Sequence, residues 1–370
     1  MGKEAAALFS LLRTKLTRIK INKFVELVRK SRKDLSSVLT NDVQELKIFI
    51  EKLNFNEKDL ENLVEAKKLL GNSSFLIEDI TSKGINLITI YDKDYPKNFL
   101  KKLEKYKLPP IIFCKGNLEL LKKKAISIVG SRDANETSLN FTKNISKKYV
   151  EEEYVIVSGF ARGVDRTAFE SALAYGGETI LVLPQGILTF NLKSEYYKFY
   201  AQGKILILST FLPTSSWNVG LAMERNDYIY ALGEKVFIAE SKLKGGTWNG
   251  ANKAIKQKMK NVFVRFPDSN EDNSNMFLIE KGLIPVDMNG NIIEYKNKKY
   301  ENYIIEILKK YNYGIPVSKI KMELEKIDKS ISSQKLTTIL RKMKEIDFEK
   351  KKNKYIYFLK GKKPEQIKMF

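Results

Sequence analysis

The sequence predicts an α/β protein with a doubly wound, mostly parallel sheet, and three observations favour this class. Short β-branched apolar runs occur near residues 125–129, 154–158, 179–183, 205–208, 235–239 and 261–264. A segment of helical length separates most of these runs, and in one such segment Phe141, Ile145 and Tyr149 fall on one face. Buried strands that alternate with helices form a parallel sheet, because the crossover helices cover both of its faces.

The chain before these runs is predicted to form a small helical, SAM-like domain over residues 1–78. Apolar residues recur at helical spacing within 46–53 and again within 60–70. Gly71-Asn72 is typical of a helix C-cap, so we expect the last of these helices to end there. The core domain then spans residues 79–295, and its first strand is expected at Ile111-Ile112-Phe113-Cys114.

Residues 296–370 show a third pattern, which predicts a winged helix. Three short amphipathic segments, within 304–308, 317–324 and 336–343, precede an alternating strand at 355–358. The run Ser330-Ile331-Ser332-Ser333 offers an N-cap for the third helix, which would be the recognition helix of a DNA reader. The alternative is a winged helix that binds protein and carries a lysine-rich, solvated face.

The charge and the residue composition limit the classes of function that are open to the chain. The chain has 66 Lys and Arg against 44 Asp and Glu, and this net charge of +22 is typical of proteins that bind nucleic acid. Lysine placed on solvated faces for other reasons would give the same charge. With no His and only Cys114, the chain excludes His-based catalysis, His metal ligands, a cysteine zinc cluster and an internal disulfide. We therefore expect no metal and no cofactor.

The sequence also predicts a cytoplasmic protein with no membrane association. Its opening residues do not resemble a signal peptide, and no apolar run approaches the roughly 18 residues needed to cross a bilayer. A single cysteine fits a reducing compartment.

Two predicted strands end in turns that combine glycine, serine and arginine. The first turn is Gly130-Ser131-Arg132, and the second is Ser158-Gly159-Phe160-Ala161-Arg162-Gly163. Glycine at the carboxyl end of a strand lets the backbone approach a ligand, and the helix that follows points unpaired amides at the same place. Because arginine grips phosphate bidentately, the expected ligand is a phosphate or a phosphodiester chain. Alternatively, the glycines serve helix–sheet packing and the serines merely cap.

A third glycine turn follows a later strand and is expected to add a phosphate contact. It comprises Lys244-Gly245-Gly246-Thr247. Trp248 beside it would either stack a base or pack in the core.

Three further residues are assigned from their positions. Arg225, followed by Asn226, would bind DNA or pair with Glu240, and the sequence does not rank the two. Asp165 is predicted to be the N-cap of the helix after the second turn rather than a catalytic base.

The order and spacing of these motifs resemble the DNA-processing protein A family, also called DprA/Smf. The resemblance covers nearly the whole chain. The motifs that carry it are Leu108-Pro109-Pro110, Lys115-Gly116-Asn117, Val129-Gly130-Ser131-Arg132, Ser158 to Asp165, Arg225-Asn226 and Glu240. It implies an extended Rossmann-like core that binds single-stranded DNA, protects incoming DNA and loads the RecA recombinase during natural transformation and recombination. It also implies a homodimer, and it does not imply catalysis.

Several positions depart from the family's pattern, among them the turn Leu183-Pro184-Gln185-Gly186, which replaces a more glycine-rich one, and three single residues. Phe169 stands where the family usually has His, and Thr210 follows Ser209 where the family has Glu. Asp227 replaces the last residue of an Arg-Asn-Arg motif, so that an acid is expected in place of one pocket cation.

The alternative function is that of a non-catalytic Rossmann nucleotide sensor in defence or signalling. Hydrolases of the same superfamily use a Gly-Gly-x-Gly-Thr turn followed by a catalytic Glu, and the segment 245–251 lacks both features. A dinucleotide dehydrogenase would need G-x-G-x-x-G and an acid about twenty residues on, which are also missing. Comparing oligonucleotide with mononucleotide binding would separate the DNA-binding protein from the sensor.

Overall fold

A computed structural model describes residues 2–268, 271, 274–294, 300–311, 314–326, 331–351 and 354–361. Within these residues the chain forms two compact units. The first unit comprises the described residues of 1–275 and 284–293, and the second comprises those of 276–283 and 294–370.

Five helices open the first unit. They are α1 (Gly2–Leu12), α2 (Arg18–Lys30), α3 (Leu35–Thr40), α4 (Val43–Leu53) and α5 (Glu57–Ser82). A capping box fixes the start of α5, because the side chains of Asn56 and Asp59 each accept a hydrogen bond from the other's backbone N–H.

The predicted end of α5 at Gly71-Asn72 is wrong, since the helix continues to Ser82. One glycine inside a helix costs only about 1 kcal/mol relative to alanine. The buried face of α5 continues past that point to Ile80, and the apolar contacts along it outweigh this cost.

Nine strands form the main sheet. They are β1 (Asn86–Thr89), β2 (Ile111–Gly116), β3 (Ala125–Val129), β4 (Val155–Ser158), β5 (Thr179–Val182), β6 (Ile205–Ser209), β7 (Lys235–Ile238), β8 (Val262–Arg265) and β9 (Ile284–Val286). The spatial order is β1-β2-β6-β5-β4-β3-β7-β8-β9, parallel from β6 to β9 and antiparallel at β1 and β2. This confirms the predicted α/β class with a mostly parallel sheet.

Seven further helices connect or flank these strands. They are α6 (Lys97–Lys102), α7 (Glu136–Glu151), α8 (Val164–Ala174), α9 (Tyr197–Ala201), α10 (Val219–Leu232), α11 (Gly246–Lys256) and α12 (Asn275–Glu280). On α7, Phe141, Ile145 and Tyr149 are buried, as their spacing predicts.

The order in which the chain adds strands to the sheet changes at β3. Strands β4, β5 and β6 extend to one side of β3, whereas β7 and β8 lie on the other side. The connections that leave β3 and β7 therefore diverge, and this opens a crevice beyond the carboxyl ends of these strands.

The N-terminal helices share a hydrophobic core with the sheet. Phe9 of α1 meets Phe113 of β2 edge to face, with 6.0 Å between ring centroids. The same core continues to Phe169 and Leu181. The division into domains at residues 1–78, 79–295 and 296–370 stays a prediction.

In its described residues, the second unit contains most of α12, three further helices and a small antiparallel sheet. The further elements are α13 (Glu301–Lys309), β10 (Ile315–Pro316), α14 (Val317–Glu325), α15 (Ser333–Lys342), β11 (Ile346–Lys351) and β12 (Lys354–Leu359). The strand order is β10-β12-β11, and Ile304, Ile320 and Leu336 are at the centre of its core. The winged-helix assignment stays a prediction. Ser330, part of the predicted N-cap, lies outside the described residues.

Candidate nucleic-acid interface

Two adjoining pockets lie beyond the carboxyl ends of β3, β4 and β7. We call the first the aromatic pocket, with a volume of about 410 Å³, and the second the glycine pocket, with a volume of about 400 Å³. The aromatic pocket is lined mainly by Gly159, Phe160, Arg162, Leu183, Pro184 and Phe190. The glycine pocket is lined mainly by Gly130, Ser131, Asn226, Lys242, Lys244, Gly245, Gly246 and Thr247. Arg132, Ala161, Trp217 and Arg225 line both, so the pockets form one cleft.

The first turn places Arg132 between the two pockets. A Cβ at Gly130 would lie 2.5 Å from Val164 Cγ2, so glycine here lets β3 pack closely on α8. The Ser131 N–H donates to the Glu240 carbonyl at 3.0 Å, and the Ser131 carbonyl accepts the Val164 N–H. The backbone of the turn is thus held in place by the protein, and the exposed Arg132 side chain is its group most available to a ligand.

The second turn builds the aromatic wall. Phe160 has a φ of +60°, a left-handed conformation that is uncommon for a bulky residue. Its ring packs edge to face against Phe169 at 4.9 Å and Tyr196 at 5.7 Å. Phe169, which replaces the family's His, is therefore part of the core under the pocket. Arg162 follows on the surface, where it pairs with Asp133.

Two residues predicted to contact phosphate play other roles in this turn. Ser158 is buried, and its hydroxyl donates to the Ile128 carbonyl at 2.9 Å. Its predicted donation to phosphate is therefore wrong, because its only hydroxyl proton joins β4 to β3. Gly163 does not line either pocket. Its φ of +80° starts α8, and a Cβ there would lie 2.4 Å from the Ser131 carbonyl oxygen.

A buried ion pair forms the floor of the cleft. Arg225 on α10 is only 4% exposed, and its Nη1 lies 3.5 Å from Asp165 Oδ2 and 3.4 Å from the Val182 carbonyl oxygen. Burial raises the pKa of Asp165 and lowers the pKa of Arg225, and the attraction between the two opposes both shifts. A Cβ at Gly159 would lie 1.1 Å from Arg225 Nη1, so glycine makes the room for this guanidinium.

The Asp165–Arg225 pair corrects the prediction for Asp165 and excludes one of the two alternatives for Arg225. The N-cap of α8 is Gly163, and Asp165 is the second residue of the helix, where it faces Arg225. The prediction that Asp165 is the N-cap is therefore wrong. Arg225 does not pair with Glu240, whose Oε2 accepts the Asn135 N–H at 2.9 Å near the start of α7.

The third turn presents the N-terminus of α11 to the glycine pocket. Gly245 has a φ of +102° and, as the N-cap, provides no side chain to the first turn of the helix. The N–H groups of Gly246 and Thr247 therefore have no intrahelical acceptor, and they add partial positive charge to that of Lys244. A Cβ at Gly246 would lie 2.7 Å from Asn226 Nδ2, so glycine lets this amide approach the turn.

The cleft carries more positive than negative charge. Arg132, Arg162, Lys242 and Lys244 surround it, whereas its acids Asp133 and Asp165 are each paired with an arginine. In the part of the chain that the structure describes, no three His, Cys, Asp or Glu side chains are placed to hold a metal ion.

The expected effect of Asp227 is also corrected. Asp227 pairs with Lys253 of α11 and does not line either pocket. Because it follows Asn226 on α10, its side chain is turned about 100° around the helix from that pocket residue. It therefore does not replace a pocket cation with an acid.

Sequence reasoning missed Trp217, which lines both pockets and is 46% exposed. It assigned base stacking to Trp248 as one alternative, but Trp248 is half-buried and lines neither pocket. A signal was present, since Trp217 lies between a predicted strand and the candidate Arg225. Phe190 and Lys242 were missed as well, because neither stands in a glycine turn.

Known proteins resemble the chain in both sequence and fold. DprA of Streptococcus pneumoniae is 32% identical over 170 residues, which are 46% of this chain and 59% of that protein. DprA of Bacillus subtilis is 30% identical over 180 residues, which are 47% of this chain and 59% of that protein. The chain thus spans about three-fifths of the length of these relatives. The X-ray structure of the S. pneumoniae protein gives a TM-score of 0.59 at 24% identity and covers 79% of this chain and 95% of that chain, which shows a shared fold.

One family model covers more than half of the sequence. Residues 86–295 match the model described as DNA recombination-mediator protein A, and this range contains every strand of the main sheet and all three glycine turns. Further relatives carry the name Protein Smf. The chain therefore belongs to the DNA recombination-mediator protein A family, also called DprA/Smf.

Proposed function

We propose that the cleft binds the phosphate backbone of single-stranded DNA. The observation that carries this proposal is the convergence of three glycine turns, two of which carry an arginine and one a lysine, at the switch point of the sheet. Arg132 lines both pockets, so a strand that enters the cleft from either pocket would meet its guanidinium. The net charge of +22 would attract the strand over a longer range.

Binding of this kind carries little sequence preference. Arginine, lysine and helix N-termini contact phosphates, which position a strand without reading its bases. We therefore expect similar affinities for mixed oligonucleotides of equal length. We also propose a preference for single strands over duplex, which rests on family membership and not on these phosphate contacts.

We propose further that the protein protects incoming DNA and loads RecA recombinase during natural transformation and recombination. Family membership supports this role, and it also supports a homodimer. RecA and incoming DNA meet in the cytoplasm, which is where we place this protein.

We also propose that the cleft binds without catalysis. Asp165 is buried against Arg225, and Asp133 is paired with Arg162, so neither carboxylate is free to act as a general base. The chain has no His to take that role. Product formed in excess of protein from nucleotides or DNA, and abolished by Asp165→Asn, would refute this part of the proposal.

The binding proposal is tested by titration of a fluorescent 15-mer with wild type, Arg132→Ala and Arg32→Ala at fixed salt. Arg32 is an exposed arginine beyond α2 that lines neither pocket, so it controls for loss of one positive charge. Arg132→Ala should cost about 1.5–3 kcal/mol, the usual range for hydrogen bonds to charged groups. Arg32→Ala should bind as wild type does.

Competition with unlabelled nucleic acids and a mononucleotide distinguishes a DNA-binding protein from a nucleotide sensor. Unlabelled single strand should displace the fluorescent 15-mer, whereas duplex and mononucleotide should compete weakly. Equal competition by a mononucleotide would refute the DNA proposal in favour of the sensor. RecA filament formation on DNA coated with single-strand-binding protein, measured with and without this protein, tests the loading role.

A further inference from the structure

The side chains that line the aromatic pocket are of two kinds. Arg132 and Arg162 contribute positive charge, whereas Phe160, Phe190, Leu183 and Pro184 contribute an apolar surface, which we call the apolar wall. Phosphate oxygens gain nothing from an apolar surface. A phosphate chain alone therefore leaves half of this pocket without a role.

The apolar wall is well packed. Phe160 has a left-handed backbone, which is uncommon for a bulky residue, and its ring is held between the rings of Phe169 and Tyr196. Phe190 packs against it edge to face at 6.0 Å, and the Arg166 guanidinium lies 4.8 Å from its ring centroid. Because these neighbours surround the half-buried Phe160 ring, this ring supports the apolar wall from within the protein. The more accessible aromatic surface of the cleft is on Trp217.

Trp217 is the accessible aromatic side chain at the junction of the two pockets. Nearly half of it, 46%, is exposed to solvent. Its backbone is anchored, since the next residue, Asn218, is the N-cap of α10 and accepts the Leu221 N–H at 2.9 Å. A single exposed aromatic residue is ordinary on a protein surface. A tryptophan that lines both halves of a cationic cleft, beside an apolar wall, is placed to stack on a flat ring.

We propose that Trp217 stacks on an unpaired base of the bound strand and seats it in the aromatic pocket. This inference rests on the proposed binding of single-stranded DNA. The phosphate on one side of the base lies at Arg162, and the backbone continues past Arg132 into the glycine pocket. Every base has a π face, so stacking holds the strand without reading its sequence.

Stacking also provides the selection of single strands over duplex. The bases of a duplex are paired and stacked on each other, so none can enter the pocket without unpairing. Phosphate contacts alone would not distinguish the two, because both carry the same charged backbone.

The test compares two 15-mers with equal numbers of phosphates, oligo-dT and an abasic deoxyribose-phosphate chain. Wild type should bind oligo-dT more tightly than the abasic chain. Trp217→Ala should lose about tenfold in affinity for oligo-dT, or about 1.4 kcal/mol, and should keep its affinity for the abasic chain. Trp217→Phe should retain most of the difference, because it keeps an aromatic face. Tyr197→Ala, at another exposed aromatic residue outside both pockets, is the matched control.

Fluorescence gives an independent readout. The chain has 2 tryptophans, so Trp248→Phe leaves Trp217 as the sole reporter. Stacking should quench its emission when oligo-dT is added, whereas the abasic chain should leave the emission nearly unchanged.

The outcomes separate this inference from the function on which it rests. If wild type binds neither chain, the proposed function is refuted. If Arg132→Ala weakens binding but Trp217→Ala binds oligo-dT as wild type does, the stacking inference is wrong and the proposed function stands. Equal losses on both chains in Trp217→Ala would also overturn it, since the side chain would then merely shape the cleft. Thermal unfolding followed by circular dichroism verifies that each variant is folded.

Discussion

At the scale of single residues, Gly159 and Arg225 share one small space below the cleft. A Cβ at residue 159 would lie 1.1 Å from Arg225 Nη1, and Arg225 is fixed by Asp165 and the Val182 carbonyl. The backbone at the end of β4 is equally fixed by its parallel neighbours. An added methyl group would therefore expel the guanidinium and leave the Asp165 carboxylate without its partner.

Gly159→Ala should lower the free energy of unfolding by about 1–3 kcal/mol, the usual cost of overpacking, and should abolish binding in the cleft. Gly71→Ala is the matched control. No atom would lie within 4 Å of its Cβ, and it stands inside α5, so it should stabilise the protein by about 0.5–1 kcal/mol. Urea unfolding of both variants measures the opposite signs. Unfolding of Gly159→Ala at the wild-type midpoint would show that the packing argument is wrong.

If the cleft binds a strand as proposed, Asp133 limits its affinity. It pairs with Arg162 at the surface, where Arg162 is 75% exposed, so a phosphate must compete with a carboxylate for that guanidinium. Asp133→Asn removes the competitor and one negative charge. Since exposed ion pairs contribute about 0.2–1 kcal/mol, affinity for a 15-mer should rise about 1.4-fold to fivefold at low salt.

The salt dependence of the Asp133→Asn affinity tests whether the gain is electrostatic. The gain in affinity should shrink as the salt concentration rises, because screening weakens interactions between exposed charges. Asp268→Asn, an acid outside both pockets, is the control. Unchanged affinity of Asp133→Asn at low salt would mean that Arg162 does not meet the strand.

At the scale of elements, the strands and turns could be predicted from local sequence. Strands β3 to β8 are almost entirely buried, so each is a short, largely apolar run that can be recognised without knowledge of its neighbours. The short strands β1 and β9 were missed, because Asn86–Thr89 and Ile284–Val286 lack such a run. The end of α5 was misplaced because a local glycine signal competed with apolar contacts that only the folded core reveals.

In the candidate site, too, some features could be predicted from local sequence and others depend on the fold. The glycine turns are local, and the sequence predicted all three. The Asp165–Arg225 pair joins residues 60 positions apart, so only the fold brings them together. Trp217 likewise becomes part of the site only because its loop lies across both pockets.

An acid on α2 connects that helix to the segment 105–107. Glu26 pairs with Lys30 at 2.9 Å and with Lys105 at 2.6 Å. These hydrogen bonds, chiefly the one from Lys105, lower the pKa of Glu26 from its ordinary 4.5 to about 2. The unfolded chain binds the proton more readily than the folded one. The stability from Glu26 is therefore complete above pH 4.5 and is lost as the pH falls toward 2.

Glu26→Gln should lower the free energy of unfolding by about 1 kcal/mol at pH 7, because its two lysine partners are largely exposed. The difference from wild type should shrink at pH 3, where the Glu26 of the unfolded wild type is mostly protonated. Urea midpoints at both values measure this, with Glu65→Gln, an exposed acid on α5, as the control. A difference that stays constant between pH 7 and pH 3 would contradict the assigned cause.

At the scale of the whole molecule, charge is spread over both units. Of the net charge of +22, +9 lies in residues 300–370 and +13 in residues 1–299. The two contributions differ in kind. Arg132 and Arg162 stand on turns fixed at strand ends, whereas those positive charges of the second unit that the structure describes are mostly exposed lysines, and a lysine ammonium is strongly hydrated.

We therefore expect the cleft to dominate single-strand affinity. If the full chain neutralises about five phosphates, log K should fall with log salt at a slope of about −3.5. A chain ending at residue 299 should keep most of that slope and should lose less affinity than Arg132→Ala does, because its three glycine turns are intact. Titrations of a 15-mer at several salt concentrations measure both quantities, with circular dichroism confirming folded protein. If the shortened chain loses binding while Arg132→Ala and Arg162→Ala bind as wild type does, the second unit binds the DNA and the cleft does not.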